Sequence, residues 1–338
     1  MSVDKFMHDS LFNKNNGYYM KKTPFGKNGD FITSPNISII FSEIICIWII
    51  SFWKKQKKPE KINLIELGAG NGDMMYQILN SSINFKDFYN SCNFYIYEKS
   101  PHLTTIQKKR LNNFNVKWIK NFNQINKGIN LFISNEFIDV FPIKQLIKIK
   151  NKWYERYIDI KNKKFLRKKI NIKNVKKKYS FVDIKNQNFI EFSPQLFSLL
   201  RKISNKINIS NGGMLIIDYA YNKKKMVNTL QSVKDHKKIS IFDKIGDADI
   251  SYVPNFNQIK KMAHKLDLKV SGQITQGEFL KKMGILKRAE IISENLNFLK
   301  KADLYYRIKR LIDPKFMGKL FKVLFLTNKK ISFNIGFK

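Results

Sequence analysis

Three glycines stand at alternate positions, 68, 70 and 72, directly after the apolar run Ile62-Asn63-Leu64-Ile65-Glu66-Leu67. Few folds tolerate that arrangement. The run is followed by Met74-Met75-Tyr76-Gln77-Ile78-Leu79, whose apolar residues are spaced for a helix lying on a sheet. The order is strand, tight turn, helix, which opens a nucleotide-binding α/β domain; the glycines let the chain turn sharply and let a ligand approach the backbone. A dinucleotide fingerprint, Gly-x-Gly-x-x-Gly, is not met, because its third place falls on Asp73. The pattern present is Glu66-x-Gly68-x-Gly70-x-Gly72, with a carboxylate inside the strand end.

A second feature lies one helix and one loop further on. Phe94-Tyr95-Ile96-Tyr97-Glu98 reads as the next strand, ending in an acid placed to accept hydrogen bonds from both hydroxyls of a ribose. Together the two motifs resemble those of class I methyltransferases that bind S-adenosylmethionine (SAM). The resemblance implies an α/β fold with a Rossmann-like sheet and SAM as cofactor, bound by Glu66, Gly68, Gly70, Gly72 and Glu98.

The rest of the chain is expected to complete that sheet. Residues 1–20 have a helical apolar face (Phe6, Met7, Leu11, Phe12) that ends in a turn at Gly17-Tyr18-Tyr19. A loop rich in turn formers, residues 24–36, precedes a buried helix over 37–53, with Ser34 as its cap and Pro35 at its first position. Ser100-Pro101 starts a helix to about Leu111, and Val116–Ile119 and Leu131–Ser134 are further strands. From Ile143 to Phe192 short β-like runs separated by Lys and Asn suggest an insertion, with a hairpin over 144–160. A helix near 194–208, a buried strand over 212–219, helices at 255–265 and 295–312, and an apolar stretch Phe321–Leu326 before a short terminal strand follow. The expected organisation is a helical segment, 1–58, packed on a methyltransferase domain of 59–142 and 193–338, interrupted by a β-rich insertion, 143–192, that offers a substrate or partner surface.

Composition excludes more than it proves. The two cysteines, Cys46 and Cys92, have no neighbour at metal-ligand spacing, so neither a disulfide scaffold nor a metal site is expected. The stretch Ile37–Trp53 is short for a membrane span and carries Glu43. Met1-Ser2-Val3-Asp4-Lys5 shows neither an apolar signal core nor an Arg-rich leader, so a cytoplasmic protein is expected, or one of the mitochondrial matrix if the source is eukaryotic. The net charge of +37 raises nucleic acid as a partner. However, the basic residues are spread along the chain and are mostly Lys, alongside abundant Asn, Ile and Phe, which is what A/T-rich codons produce. Nucleic acid is therefore not the expected partner, whereas an acidic protein suits such a surface.

Taken together these strings resemble the MidA family of SAM-dependent protein arginine methyltransferases, which act in assembly of respiratory complex I. They are Gly17-Tyr18-Tyr19, Gly29-Asp30-Phe31-Ile32-Thr33-Ser34-Pro35, Glu98-Lys99-Ser100-Pro101, Ser134-Asn135-Glu136-Phe137-Ile138-Asp139, Leu215-Ile216-Ile217-Asp218-Tyr219, Thr229-Leu230-Gln231, Asp247-Ala248-Asp249 and Gln276-Gly277-Glu278-Phe279-Leu280. The resemblance implies a protein substrate, a complex I subunit, and allows a homodimer. It adds Thr33 and Asn135 to the cofactor residues. Asp30 either closes over the cofactor or holds its own turn. Two departures stand out: Ala220 where the family usually has Gly after Asp-Tyr, and Asn255 where it tends to have an acid.

A guanidinium is protonated and a poor nucleophile, so carboxylates must bind it, localise its charge and take its proton. Acids at strand ends supply them: Glu136 is expected as the principal partner, with Asp139 assisting and Asn135 orienting, unless Glu136 and Asp139 cap a helix after the fourth strand. Rival readings are a nucleic-acid methyltransferase, though the Asn-Pro-Pro-Tyr string is absent, and a non-catalytic SAM-binding assembly factor. No Gly-x-Ser-x-Gly elbow supports a hydrolase.

Overall fold

In the computed structural model every residue is described except Thr23, Phe25, Lys27 and Asn28, so that part of the expected 24–36 loop lies outside the described residues. The chain opens on α1 (Val3–Phe12) and the short α2 (Tyr18–Lys21), which set Val3, Phe6, Met7, Leu11 and Tyr18 into one core. Tyr18 and Tyr19 thus lie in a helical turn rather than in the open turn expected. The helix expected over 37–53 is two: α3 (Ser34–Ile37) and α4 (Ile39–Lys55). Ser38 separates them in an extended conformation and its hydroxyl accepts the Ile40 N–H at 3.3 Å. A serine side chain that bonds nearby backbone offers the chain an alternative to continuing the helix, so Ser38, not Ser34, caps the long helix.

The α/β core follows as β1 (Ile62–Leu67), α5 (Asp73–Ser82), α6 (Lys86–Ser91), β2 (Cys92–Tyr97), α7 (Pro101–Arg110), β3 (Val116–Ile119) and β4 (Ile129–Asn135). Ser100 caps α7 as expected, accepting the Leu103 N–H at 3.2 Å. No helix follows β4. The chain turns through 136–143 into β5 (Lys144–Ile149), β6 (Lys152–Asp159), β7 (Lys164–Ile170), α8 (Ile172–Lys178) and β8 (Phe189–Phe192). These four strands make an antiparallel sheet of order β7-β6-β5-β8.

The chain returns through α9 (Pro194–Ser210) and β9 (Gly213–Tyr219), then β10 (Gln231–Lys234), β11 (Lys237–Ile239) and β12 (Asp249–Ser251), which form a small sheet of their own. It ends with α10 (Phe256–Lys265), β13 (Lys269–Thr275), α11 (Gln276–Lys282), α12 (Ile285–Ser293), α13 (Phe298–Ile312), α14 (Met317–Leu320) and β14 (Phe321–Thr327). The main sheet runs β3-β2-β1-β4-β9-β14-β13, parallel from β3 to β9, with β14 antiparallel to both neighbours. Phe321–Leu326 is therefore itself a strand, not a prelude to one. Lying between β9 and β13 under helices on both faces, it needs the near-continuous apolar side chains it carries.

Every residue of β1 is buried, and alternate side chains go to two cores. Ile65 and Leu67 join α1, α9 and the insertion sheet; Ile62 and Leu64 join α4, α5 and α11 to α13. In the second core Trp48 of α4 meets Phe325 edge-on at 4.8 Å and donates its indole N–H to the Ile335 carbonyl at 3.0 Å. Among the described residues no helix is long and apolar enough to cross a membrane.

Candidate active site

The sheet reverses its winding between β1 and β4, and ligands of open α/β sheets bind beyond the carboxyl ends of the strands at that point. Two clefts adjoin there. The larger encloses about 710 Å³ of open space between Phe12, Tyr19, Tyr97, Glu98, Phe137 and Phe141. The smaller, about 390 Å³, is lined by Thr33, Asn36, Glu66, Asp73 and Asn135. Gly68, Gly70 and Glu136 line both.

Gly68 turns the chain with φ +66°, and a Cβ there would sit 2.4 Å from Cδ2 of Phe137. Gly72 plays another part: it enters α5 with φ +82°, donates its N–H to the Ala69 carbonyl at 2.7 Å and faces α7, lining neither cleft. Glu66 is 3% exposed. Burial, with Asp73 and Glu98 nearby, pushes its carboxyl up to about 8, against a hydrogen bond from the Met75 N–H. Its Oε2 has no partner.

Glu98 stands just past β2. Its Oε1 accepts the N–H groups of Lys99 at 2.8 Å and Ser100 at 2.9 Å, and its Oε2 accepts Nε2 of Gln107 at 3.1 Å. The same Nε2 donates to the Gly70 carbonyl at 2.8 Å, while Oε1 of Gln107 accepts the Trp118 indole N–H at 3.0 Å. One buried glutamine therefore ties the glycine turn to the acid of the second strand.

Thr33 lines the smaller cleft and donates to Oδ1 of Asn36 at 3.0 Å; Asn36 in turn donates to Asp73 at 2.6 Å, and Arg110 pairs with the same carboxylate. Asp30 lines neither cleft. Its carboxylate accepts the Tyr18 hydroxyl and, at 2.7 Å, the Asp235 N–H, so it holds α2 to the β10–β11 turn.

Glu136 follows β4 with φ +50°, a left-handed conformation that a glutamate adopts only at a cost. Its N–H donates to the Ile217 carbonyl at 2.9 Å, and its Oε1 accepts the Ser34 N–H at 3.2 Å and Nδ2 of Asn135 at 3.0 Å. Burial raises its carboxyl to about 7, against those two hydrogen bonds. Asn135 keeps a buried Oδ1 with no partner.

Behind Glu136 lie three more buried acids: the expected Asp139, Asp218 at the next strand end, and Asp249, which the strand-end pattern does not point to. Asp139 is buried, and its carboxyl is held well above the usual range by burial and then by Asp218, Asp249 and Glu136. Asp218, at the end of β9, accepts the N–H groups of Phe137 at 3.1 Å and Ile138 at 2.9 Å and so fixes the turn that carries Glu136 and Asp139. Burial raises it too. Asp249 accepts the Tyr19 hydroxyl at 2.8 Å and is raised to about 6, chiefly by burial, with Tyr19 and Ser251 holding it lower. Asp139 Oδ1 and Asp218 Oδ1 have no hydrogen-bond partner. Asn255, the departure noted above, lines neither cleft; it caps α10, accepting the Asn257 N–H at 2.9 Å.

The unpartnered buried atoms Glu66 Oε2 and Asn135 Oδ1 are acceptors, and both residues line the smaller cleft. They suit a ligand that brings hydrogen-bond donors and positive charge, as SAM does with its ammonium and sulfonium, while Glu98 suits the two ribose hydroxyls. The sheet order, the glycine turn and these acids define a class I, SAM-dependent methyltransferase.

The model of a family of S-adenosyl-L-methionine-dependent methyltransferases, Methyltransf_28, matches residues 44–274. The protein arginine methyltransferase NDUFAF7 of mitochondria is 31% identical in Xenopus laevis, over 95% of this chain and 80% of that one. In Homo sapiens it is 26% identical, over 95% and 78%. A crystal structure of a Burkholderia thailandensis protein bound to S-adenosyl-homocysteine superposes with a TM-score of 0.80 at 18% identity, over 97% of this chain and 88% of that one. The chain belongs to the MidA family of methyltransferases, and its cofactor is SAM.

Proposed function

We propose that this methyltransferase modifies the guanidinium of an arginine in a protein, and that the protein is a subunit of respiratory complex I during assembly. The observation that carries the reading is a set of acids with no cation of their own. Among the described residues no Lys or Arg forms an ion pair with Glu136, Asp139, Asp218 or Asp249, and three of the four are fully screened from solvent by their surroundings or nearly so. The names of the relatives support the choice of arginine; the complex I subunit follows from the family resemblance.

Glu66, Gly68, Gly70, Thr33, Glu98 and Asn135 hold the cofactor, and Gly72 and Gln107 hold the turn that presents it. Bound SAM supplies an electrophilic methyl group on a sulfonium. Glu136, reached from both clefts, binds the guanidinium and takes the proton that its nitrogen gives up. Asn135 aims the Glu136 carboxylate through its Nδ2–H bond, Asp139 adds negative charge behind it, and Asp218 fixes the turn bearing both. Localising the guanidinium charge on these carboxylates is what turns one nitrogen into a nucleophile. The exposed strands of the 144–192 sheet are the surface we assign to the partner. The compartment is the cytoplasm of a bacterium or the matrix of a mitochondrion.

The test is transfer of labelled methyl from SAM to the purified complex I subunit homologous to the family's target, read by mass spectrometry. A modified arginine is expected. Methyl on another residue, or none with SAM binding confirmed calorimetrically, overturns the reading.

A further inference from the structure

Helix α13 turns most of its apolar surface outward. Of its fifteen residues only Ile308 and Leu311 are buried. Phe298 and Leu299, at its first turn, are 81% and 76% exposed, and Tyr305 and Tyr306 follow on the outer side. With Leu286, Ile291, Phe316 and Leu320 alongside, the α12–α14 region holds eight of the nineteen large hydrophobic residues exposed among the described residues. Single exposed apolar side chains are ordinary, but a concentration such as this marks an interaction surface.

Charge narrows the occupant. Lys300, Lys309, Lys315 and Lys319 are exposed around these side chains, and none forms an ion pair among the described residues. A second copy of a chain with net charge +37 would bring the same unpaired lysines against them, so self-association is opposed. Shape narrows it further. Partner proteins gain most from side chains seated in pockets and ringed by other contacts. Phe298 and Leu299 instead project bare from the first turn of α13, directly before Lys300-Lys301, with tyrosines about two turns behind. An apolar tip that can enter acyl chains, tyrosines at the depth of the headgroups and lysines over anionic phosphates is the chemistry of a helix lying in a membrane interface.

We propose that α13, led by Phe298 and Leu299, docks this protein on an anionic lipid bilayer. The helix lies on the surface and does not cross it. Its neighbour α3 carries the smaller cleft's wall, and Arg307 of α13 donates to the Ile37 carbonyl at 3.3 Å, so docking sets the cofactor cleft at a fixed height above the lipid.

The experiment is co-sedimentation of the full chain with vesicles of phosphatidylglycerol and phosphatidylcholine, and of phosphatidylcholine alone. Binding to the anionic vesicles is expected, with F298S/L299S weakening it on the order of a hundredfold. The control I209S, at a site 84% exposed on α9, should bind as the wild type does. SAM affinity and circular dichroism report whether each variant is folded. Should F298S/L299S not fold, K300E/K301E takes its place, with a loss of about thirtyfold or more expected. Equal binding by the wild type and F298S/L299S would show that net charge alone acts, and equal binding by the wild type and K300E/K301E would show that α13 takes no part; either overturns the proposal. So does absence of vesicle binding, whether the same variants then change the oligomeric state by sedimentation velocity or change retention on immobilised polyglutamate.

Discussion

Replacing Glu136 by Gln separates chemistry from folding, because the two effects have opposite signs. The amide keeps an oxygen for the Ser34 N–H and the Asn135 Nδ2–H, and its new NH₂ group faces the clefts. It can neither neutralise a guanidinium nor accept a proton, so methyl transfer should fall by about 10² to 10⁴ while SAM affinity changes little. Stability should move the other way. Raising the carboxyl from 4.5 to about 7 costs the ionised form roughly 3 kcal/mol. Glu136 is half-buried, so solvent screening reduces that to about 1.5 kcal/mol.

The pH dependence follows from which state holds the proton. Below about 4.5 the carboxyl is protonated in the folded and unfolded chain alike, and wild type and variant differ only by packing. Between 4.5 and about 7 the unfolded chain releases a proton that the folded chain keeps, so the wild type loses stability relative to the variant. Above that both forms are ionised and the gap stays constant. At roughly 2.1 cal/mol/K per residue over 338 residues, about 1.5 kcal/mol is near 2 °C in Tm. Thermal unfolding at pH 4.5 and pH 8, with cofactor absent, should therefore show E136Q matched to the wild type at the lower pH and about 2 °C more stable at the higher. A gap of equal size at both pH values would falsify the assignment of a protonated, half-buried Glu136, and transfer retained at a tenth or more would remove it from the chemistry.

Three further substitutions test other parts of the site. Gly68→Ala places a Cβ 2.4 Å from Phe137 at φ +66°, and should cost about 2 kcal/mol or more in unfolding free energy and over tenfold in SAM affinity by calorimetry. Glu98→Gln keeps the cap on the Lys99 and Ser100 N–H groups but turns an NH₂ toward the Gln107 Nε2 donor and weakens acceptance from the ribose hydroxyls; SAM affinity should drop about tenfold with a loss of about 1 kcal/mol in unfolding free energy, and unchanged affinity would place the ribose elsewhere. Asn255→Asp restores the family's acid at a helix cap, where the amide also donates to the Lys223 carbonyl at 3.1 Å. Transfer should stay within about twofold and stability within roughly 1 kcal/mol, and a large gain in rate would bring the residue into the substrate site.

The strand, glycine turn and helix of 62–82 were legible because a central parallel strand is apolar on both faces and the turn after it needs glycine. The Ser100-Pro101 start of α7 was legible for an equally local reason. The break at Ser38 was not: a serine inside a long apolar run carries the same letters whether it faces solvent or bonds its own backbone. Nor was β14, since a short apolar run is compatible with a buried helix, and only the partners β9 and β13 decide it. In the site, Glu66 and Glu98 could be read from the ends of their own strands. Asp249 and Tyr19 could not, being 230 residues apart and joined only by the fold. Gln107 did leave a trace, as a polar residue on the Leu103–Leu111 stripe of α7, where an apolar one would be expected.

The acids of this site gain their meaning from the rest of the composition. The chain has 63 Lys and Arg against 26 Asp and Glu, so a cation for a buried carboxylate is available almost anywhere along it. Elsewhere it is used: Lys144 bridges Asp4 at 3.3 Å and Glu155 at 2.7 Å, and Arg110 holds Asp73. At Glu136, Asp139, Asp218 and Asp249 it is not, and those carboxyls are raised first by burial, with acidic neighbours adding to it at Asp139, Asp218 and Asp249. Among the described residues no group of acids, cysteines and histidines is arranged to hold a metal ion either. An arrangement that costs stability and withholds the nearest remedy fits a site whose cation arrives from outside. Entry of a guanidinium favours the ionised carboxylates and must therefore expel protons near neutral pH. Titrating substrate into the SAM-loaded enzyme at pH 7, in buffers of different ionisation enthalpy, should reveal that release, and E136Q should diminish it. Heat independent of buffer would mean that the acids are already ionised and that the substrate's charge is met elsewhere.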